Sequence, residues 1–277
     1  MPKEISVINE PCLNCNDIIN GSYCKNCGQK AIDNVDRSML TLMGDFFGNL
    51  FFLDNRFYIS LKNLLFKPGV MTIEFLSGKR RKYLSPISLF LFVNLIYFFL
   101  TPLTDYSLPL IDQIKHQPYS STAKEWVDKK IEARGIKFDE YKRRYNKNSD
   151  DISKIIMILN VPLIALFVYL FSFWRRRFYF DSFIFSIHFF SFFLSIIIIG
   201  DLIDTYLGFL PILNNEKIWF VTFLLIIPIV YLIISYKIFT ENKWWFSILI
   251  SPLLFLGIAV SQGFYRFIIF WITFLST

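Results

Sequence analysis

Five long apolar blocks separated by polar loops limit this chain more than any other feature. They cover residues 84–103, 154–174, 182–203, 218–239 and 244–263. A helix rises about 1.5 Å per residue and a bilayer's hydrocarbon core is about 30 Å thick, so a crossing needs about 20 apolar residues. Each block comes close to that length. A soluble core could not absorb them all. Of 277 residues, 54% are hydrophobic, 33 are Phe and only 18% are charged, where a soluble domain carries about 25% charge. The surplus apolar surface must face lipid, which excludes an ordinary cytosolic enzyme, a secreted disulfide scaffold and a disordered tail.

Local signals refine the blocks. Ser85 can cap the first helix and Pro86 suits its first turn; Asn94 interrupts it and Pro102 ends it. Pro228 is expected to kink the fourth. Trp244 and Trp245 open the fifth as an interfacial pair. Residues 264–277 are too short to cross again, and Arg266 would be costly in hydrocarbon. They are expected as an interfacial tail with Arg266 at the headgroups, or as the end of one long helix from Trp244.

Basic residues in short loops stay on the cytoplasmic side. Arg56, Lys62, Lys67 and the run 79–82 precede the first block; Arg175, Arg176 and Arg177 follow the second; Lys237 and Lys243 flank the loop after the fourth. The loop between the third and fourth carries only Lys217. Together they predict a multi-pass protein of the inner membrane, N-terminus cytoplasmic and C-terminus outside. Residues 1–41 are polar, with no apolar signal segment. Residues 104–153, rich in both charge signs, are expected as an extracytoplasmic cap, with 126–145 a solvated helix anchored by Trp126, Ile131 and Tyr141.

All four cysteines stand in two Cys-x-x-Cys turns, Cys12/Cys15 and Cys24/Cys27, eight residues apart. Zn²⁺ takes four thiolates tetrahedrally, and each turn supplies two. Gly28 after the second turn suits a positive φ, and Asn16 holds the matching place in the first. So short a segment has no core, so metal would drive its folding. Disulfides need an oxidising compartment, and a redox dithiol would usually occur once; iron shares the spacing. Residues 1–37 are therefore read as a zinc ribbon with a closed, structural site. The expected fold class is an all-α integral membrane helical bundle of about five transmembrane helices, preceded by this ribbon and an amphipathic interfacial helix within 38–83.

That helix is read from Leu42, Phe46, Leu50, Leu53, Phe57, Leu61 and Leu64, which recur on one helical face. Such a helix lies in the interface or packs on the bundle. Pro68-Gly69 stops it, and a short helix 70–77 ends at Gly78. Lys79, Arg80, Arg81, Lys82 and Tyr83 then read as a lipid-headgroup anchor, each base contributing about 1 kcal/mol on anionic lipid. Nucleic acid is disfavoured as a partner despite the net charge of +7, since topology accounts for the bases and no aromatic groove is evident.

Tyr23-Cys24-x-x-Cys27-Gly28-Gln29, Leu61…Leu64-Leu65…Pro68-Gly69 and Gly78-Lys79-Arg80…Tyr83…Pro86 resemble a bacterial family of multi-pass membrane proteins with an N-terminal zinc ribbon and a domain of unknown function. Phe185-Ser-Ile-His188-Phe-Phe also resembles its pattern. The similarity covers residues 12–100 and, loosely, the later blocks. It implies the architecture and no reaction.

Within the third block Asp181, His188, Ser191 and Ser195 share one helical face. An ionisable group in a span is a functional candidate; His188 would titrate in a proton or ion path or hydrogen-bond a neighbouring helix as packing glue. Asn94, Asn160, Gln262 and Arg266 are the other polar groups in or near spans, and Asp201 and Asp204 fall at the outer mouth of the third. No Gly-x-Ser-x-Gly, His-Glu-x-x-His or phosphate-binding glycine loop occurs. The reading that follows is a non-enzymatic membrane protein whose ribbon docks a protein partner or a second copy. An oligomeric channel or transporter along the His188 face stands second, and a lipid-modifying enzyme third.

Overall fold

Among the described residues four apolar blocks form helices long and apolar enough to cross a membrane: Met157–Arg175, Tyr179–Ile203, Thr222–Thr240 and Trp244–Ser276. The structure is a computed structural model and describes residues 10–31, 39, 55–100, 108–175, 177–207 and 220–277. In chain order its elements are β1 (Glu10–Pro11), β2 (Ile18–Ile19), α1 (Asn55–Phe66), α2 (Val70–Leu76), α3 (Pro86–Leu100), α4 (Leu110–Lys115), α5 (Ser120–Arg134), α6 (Phe138–Ile156), α7 (Asn160–Ser172), α8 (Tyr179–Leu207), α9 (Ile227–Thr240) and α10 (Trp244–Ser276). Leu42, Phe46, Leu50 and Leu53 of the expected amphipathic helix lie outside the described residues; Phe57, Leu61 and Leu64 sit on α1.

Helix boundaries differ from expectation where backbone chemistry intervenes. The 15 residues of α3 rise only about 22 Å, so among the described residues the first block falls short of a crossing. The second is joined to α6 through a 3₁₀ turn, Met157–Leu159, and ends in another, Phe173–Arg175. The fourth opens as a π-helix, Phe220–Ile226, and becomes α-helical at Ile227. Pro228 sits in the first turn of α9. Its missing N–H breaks the regular ladder, and wider winding absorbs the misfit. α10 runs unbroken for 33 residues through Pro252. Residues 264–276 therefore continue the helix and are not a separate tail, as the single-helix alternative had it.

The chain divides into two units. The first comprises Met1–Tyr97 and Ala165–Phe255, with α8 at its centre. In α8, 83% of the apolar stretch is buried, against 39%, 33% and 28% in the other three long helices. Those three thus keep broad apolar faces uncovered, Leu249, Leu253 and Leu256 of α10 among them. Exposed apolar surface of that extent belongs in lipid. Aromatic contacts tie α8 to its neighbours: Phe192 stacks on Tyr231 at 3.5 Å, Phe185 lies 4.9 Å from Phe239, and Phe90 stacks on Phe190. Helices α1 and α2 pack on α8, and α2 also on α9.

The second unit comprises Phe98–Ile164 and Leu256–Thr277. Its core is Leu110, Ala123, Val127, Tyr141, Tyr145 and Phe270, with Trp126, Ile131 and Phe274 packed on it. The single solvated helix expected over 126–145 is two helices. Gly135 takes φ 63° at the end of α5, and its N–H and that of Ile136 satisfy the Glu132 and Ile131 carbonyls. Glycine adopts this left-handed cap without Cβ strain. Lys130 Nζ donates to the Phe274 carbonyl and Arg134 to that of Thr277, placing cations at the negative end of α10.

Candidate metal centre

Both cysteine turns are built alike. Cys12 N–H donates to the Asp17 carbonyl at 2.7 Å and Asn16 N–H to that of Cys12 at 2.8 Å; Cys24 N–H donates to Gln29 at 2.7 Å and Gly28 N–H to Cys24 at 2.9 Å. Asn16 and Gly28 have φ of 62° and 67°, as their place after each turn required. β1 and β2 pair antiparallel across the first turn, and Tyr23 bridges Lys30 across the second. The four Sγ atoms all lie within 4.8 Å of one another, with Cys12–Cys27 at 3.6 Å and Cys15–Cys24 at 3.5 Å. Four sulfurs at about 2.3 Å from one tetrahedral ion stand about 3.8 Å apart. A disulfide needs about 2.05 Å, and all four thiols are free. The set fits a metal ion.

Electrostatics point the same way. The backbone N–H of Cys27, helped by that of Asn26, draws the Cys24 thiol down to about 7. The N–H of Asp17 acts likewise on Cys15, but burial and the three neighbouring sulfurs outweigh it and push Cys15 up to about 12. Four close thiolates repel, so they hold protons between them unless a cation sits at their centre.

The module is seated on the basic run by Gln29, with Arg81 reaching back to it. Gln29, 3% exposed, donates from Nε2 to the Gly78 carbonyl at 2.8 Å. Its Oε1 accepts from the backbone N–H of Arg80 at 3.1 Å and Arg81 at 3.3 Å. Arg81 Nε returns a bond to the Gly28 carbonyl at 3.1 Å. Lys79 and Lys82 meet Glu74 at 3.2 and 2.7 Å, Tyr83 donates to the same carboxylate, and Arg80 lies over the Phe75 ring. Much of the expected headgroup anchor is thus engaged within the protein.

A family model described as a protein of unknown function (DUF3667) matches residues 54–98. No curated protein and no solved structure matches the chain. The matched stretch contains α1, α2, the basic loop and most of α3. It includes the Pro68-Gly69 and Gly78-to-Pro86 segments singled out in the sequence, while the cysteine module lies outside it.

Glu74 carries a prediction. Partial burial would raise its carboxyl, but hydrogen bonds from Lys82, Tyr83 and Lys79 pull it down to about 2. A depressed acid stabilises the fold fully above its unfolded value near 4.5 and loses that contribution as pH falls toward 2. Glu74→Gln should cost about 1–2 kcal/mol at neutral pH, allowing for solvent at the half-exposed lysines. In detergent, thermal unfolding of the variant and wild type should converge between about pH 4.5 and 2; a constant gap would refute the assignment.

The polar face of α8 is buried throughout, and each member has a protein partner. His188 Nδ1 meets Thr72 Oγ1 of α2 at 2.9 Å. Ser191 and Ser195 donate to the Ile187 and Ser191 carbonyls one turn back. Asp181 accepts the Phe178 N–H at 3.3 Å. Asn94 and Asn160 are buried, Gln262 and Arg266 half-buried, and Asp201 exposed; the Asp204 side chain lies outside the description. Sequence reasoning gave no role to Gln29, Glu74 or Thr72. Gln29 had a signal as the last residue of the Tyr23-to-Gln29 motif, and Glu74 another as the one acid between Pro68 and the basic run.

Proposed function

We propose that this chain is a non-enzymatic multi-pass inner-membrane protein whose Cys₄ module holds a structural Zn²⁺ and serves as a docking platform. The Gln29 seat carries this reading, because it turns a small flexible module into a surface fixed against the loop that leads into α3. Cys12, Cys15, Cys24 and Cys27 would hold the ion, which supplies cross-linking and no open position for substrate. Leu13, Ile18 and Tyr23, 48%, 59% and 58% exposed, are the apolar surface that a protein partner or second copy would cover. The N-terminus is assigned to the cytoplasm and the C-terminus to the outside, a reading that takes residues 84–103 as a further crossing beside the four long helices. Arg175 and Arg177 beside Asn242 and Glu241, with Lys237 and Lys243 nearby in sequence, support that side. Thr72 holding His188 favours packing glue over an ion path.

Metal analysis of the purified full chain should find about one zinc per protein. A photo-crosslinking residue at Tyr23, activated in intact membranes, should yield one discrete adduct. Its absence, with zinc bound, would remove the docking role and leave the structural one.

A further inference from the structure

α5 and the last turns of α10, both in the second unit, form an open groove of about 370 Å³ lined by Trp126, Lys129, Lys130, Trp271 and Phe274. The walls are aromatic: Trp126 meets Trp271 edge-on at 5.1 Å, and Trp271 stacks on Phe274. The two charged members are both lysines. Lys130 lies 4.4 Å from the centre of the Phe274 ring and donates to the Phe274 carbonyl, so its ammonium is held at the groove with donors to spare. Among the described residues Lys129 pairs with Glu125 on its own helix, at 2.6 Å and largely exposed. Such an i,i+4 pair is worth a few tenths of a kcal/mol, little enough for a phosphate to displace.

Position identifies the occupant. The 33 residues of α10 extend about 50 Å, beyond a hydrocarbon core of about 30 Å. Its last turns therefore pass through the headgroup layer, where Trp is favoured. We propose that this groove binds an anionic phospholipid, its phosphate on Lys129 and Lys130 and its glycerol and upper acyl carbons against Trp126, Trp271 and Phe274. The proposal rests on the membrane-spanning reading above. Each lysine should enrich anionic over neutral lipid about fivefold.

The test uses the full chain in phosphatidylcholine nanodiscs carrying equal mole fractions of dibrominated phosphatidylglycerol or dibrominated phosphatidylcholine. Bromine quenches nearby tryptophan, so phosphatidylglycerol should quench more. The excess should fall in Lys129→Gln, an exposed change that leaves the fold intact, and vanish in Lys129→Gln/Lys130→Gln. Equal quenching by both lipids in protein that has entered the discs overturns the site alone. Protein that stays outside the discs overturns the membrane reading instead. Suppression of the excess by inorganic phosphate at matched concentration would make the groove a free-anion site and overturn the lipid assignment.

Discussion

Stripping the metal should open the basic loop. Among the described residues the module's own core is Cys12, Ile19 and Cys24, with Cys15, Cys27 and Ala31 against it, far too little to fold unaided. A chelator that removes the ion leaves mutually repelling thiolates, and the two turns should come apart. Gln29 then leaves its seat, and Gly78, Arg80, Arg81 and Gly28 each lose a bond. Trypsin cuts after Arg80 and Arg81 only when that backbone is free. Cleavage there should rise on the order of 10–100-fold, as expected when a few bonds of about 1 kcal/mol each are lost from a local opening equilibrium. Cys15→Ser should behave like the chelated protein. Gln29→Ala should free the loop while the metal ion stays bound, which separates the seat from the site. Release of the metal ion with no change in cleavage would mean that the module does not hold the loop.

The seat also marks the limit of what one sequence displays. Periodicity and spacing act over a few residues, and what they govern was legible: the long apolar helices, the turn residues Asn16 and Gly28, the α1 face through Phe57, Leu61 and Leu64, and the α8 face that holds His188. Partnership across the chain was not. Gln29 and Gly78 are 49 positions apart, and Thr72 and His188 are 116; nothing local in either segment names the other. The basic run reads as a lipid anchor, and the sequence does not display that two of its members, Lys79 and Lys82, also meet an acid of α2. That acid, Glu74, is brought beside Lys79 and Lys82 by the turn at Gly78, which composition does not reveal. The cap misled differently. Charges mixed around a helix are compatible with one helix or two, and Gly135 marks the break between two, the second of which carries Tyr141 and Tyr145 into a core with Phe270. For the long α10 the sequence left a span with a tail and one continuous helix both open, and the structure shows the continuous helix, its end met by Lys130 and Arg134.

Gly69 should tolerate no side chain. It caps α2 with φ 74°, a conformation that costs an L-residue about 1–2 kcal/mol. An added Cβ would stand 2.9 Å from the Ser235 Cα, 2.9 Å from the Ser235 carbonyl oxygen and 3.2 Å from the Ile238 Cβ. The first two are α9 backbone and the third is fixed to it, so the helices themselves must separate. Overpacking of that kind costs a further 1–3 kcal/mol or so, for a total of about 2–5 kcal/mol. In a chain of this size that lowers the unfolding temperature by roughly 4–20 °C. Separation would also pull Thr72 from His188, since both contacts belong to the α2 packing on α8 and α9. Gly135→Ala is the internal control: its φ is 63°, but nothing lies within 4 Å of the new Cβ, so it should show the conformational cost alone. Gly69→Ala should unfold well below Gly135→Ala in detergent, and Gly69→Val lower still. Shortening the neighbours, as in Ser235→Ala or Ile238→Ala, should not rescue Gly69→Ala, because the colliding atoms remain. Rescue by either, or equal unfolding of Gly69→Ala and Gly135→Ala, would show that α2 and α9 are not in backbone contact.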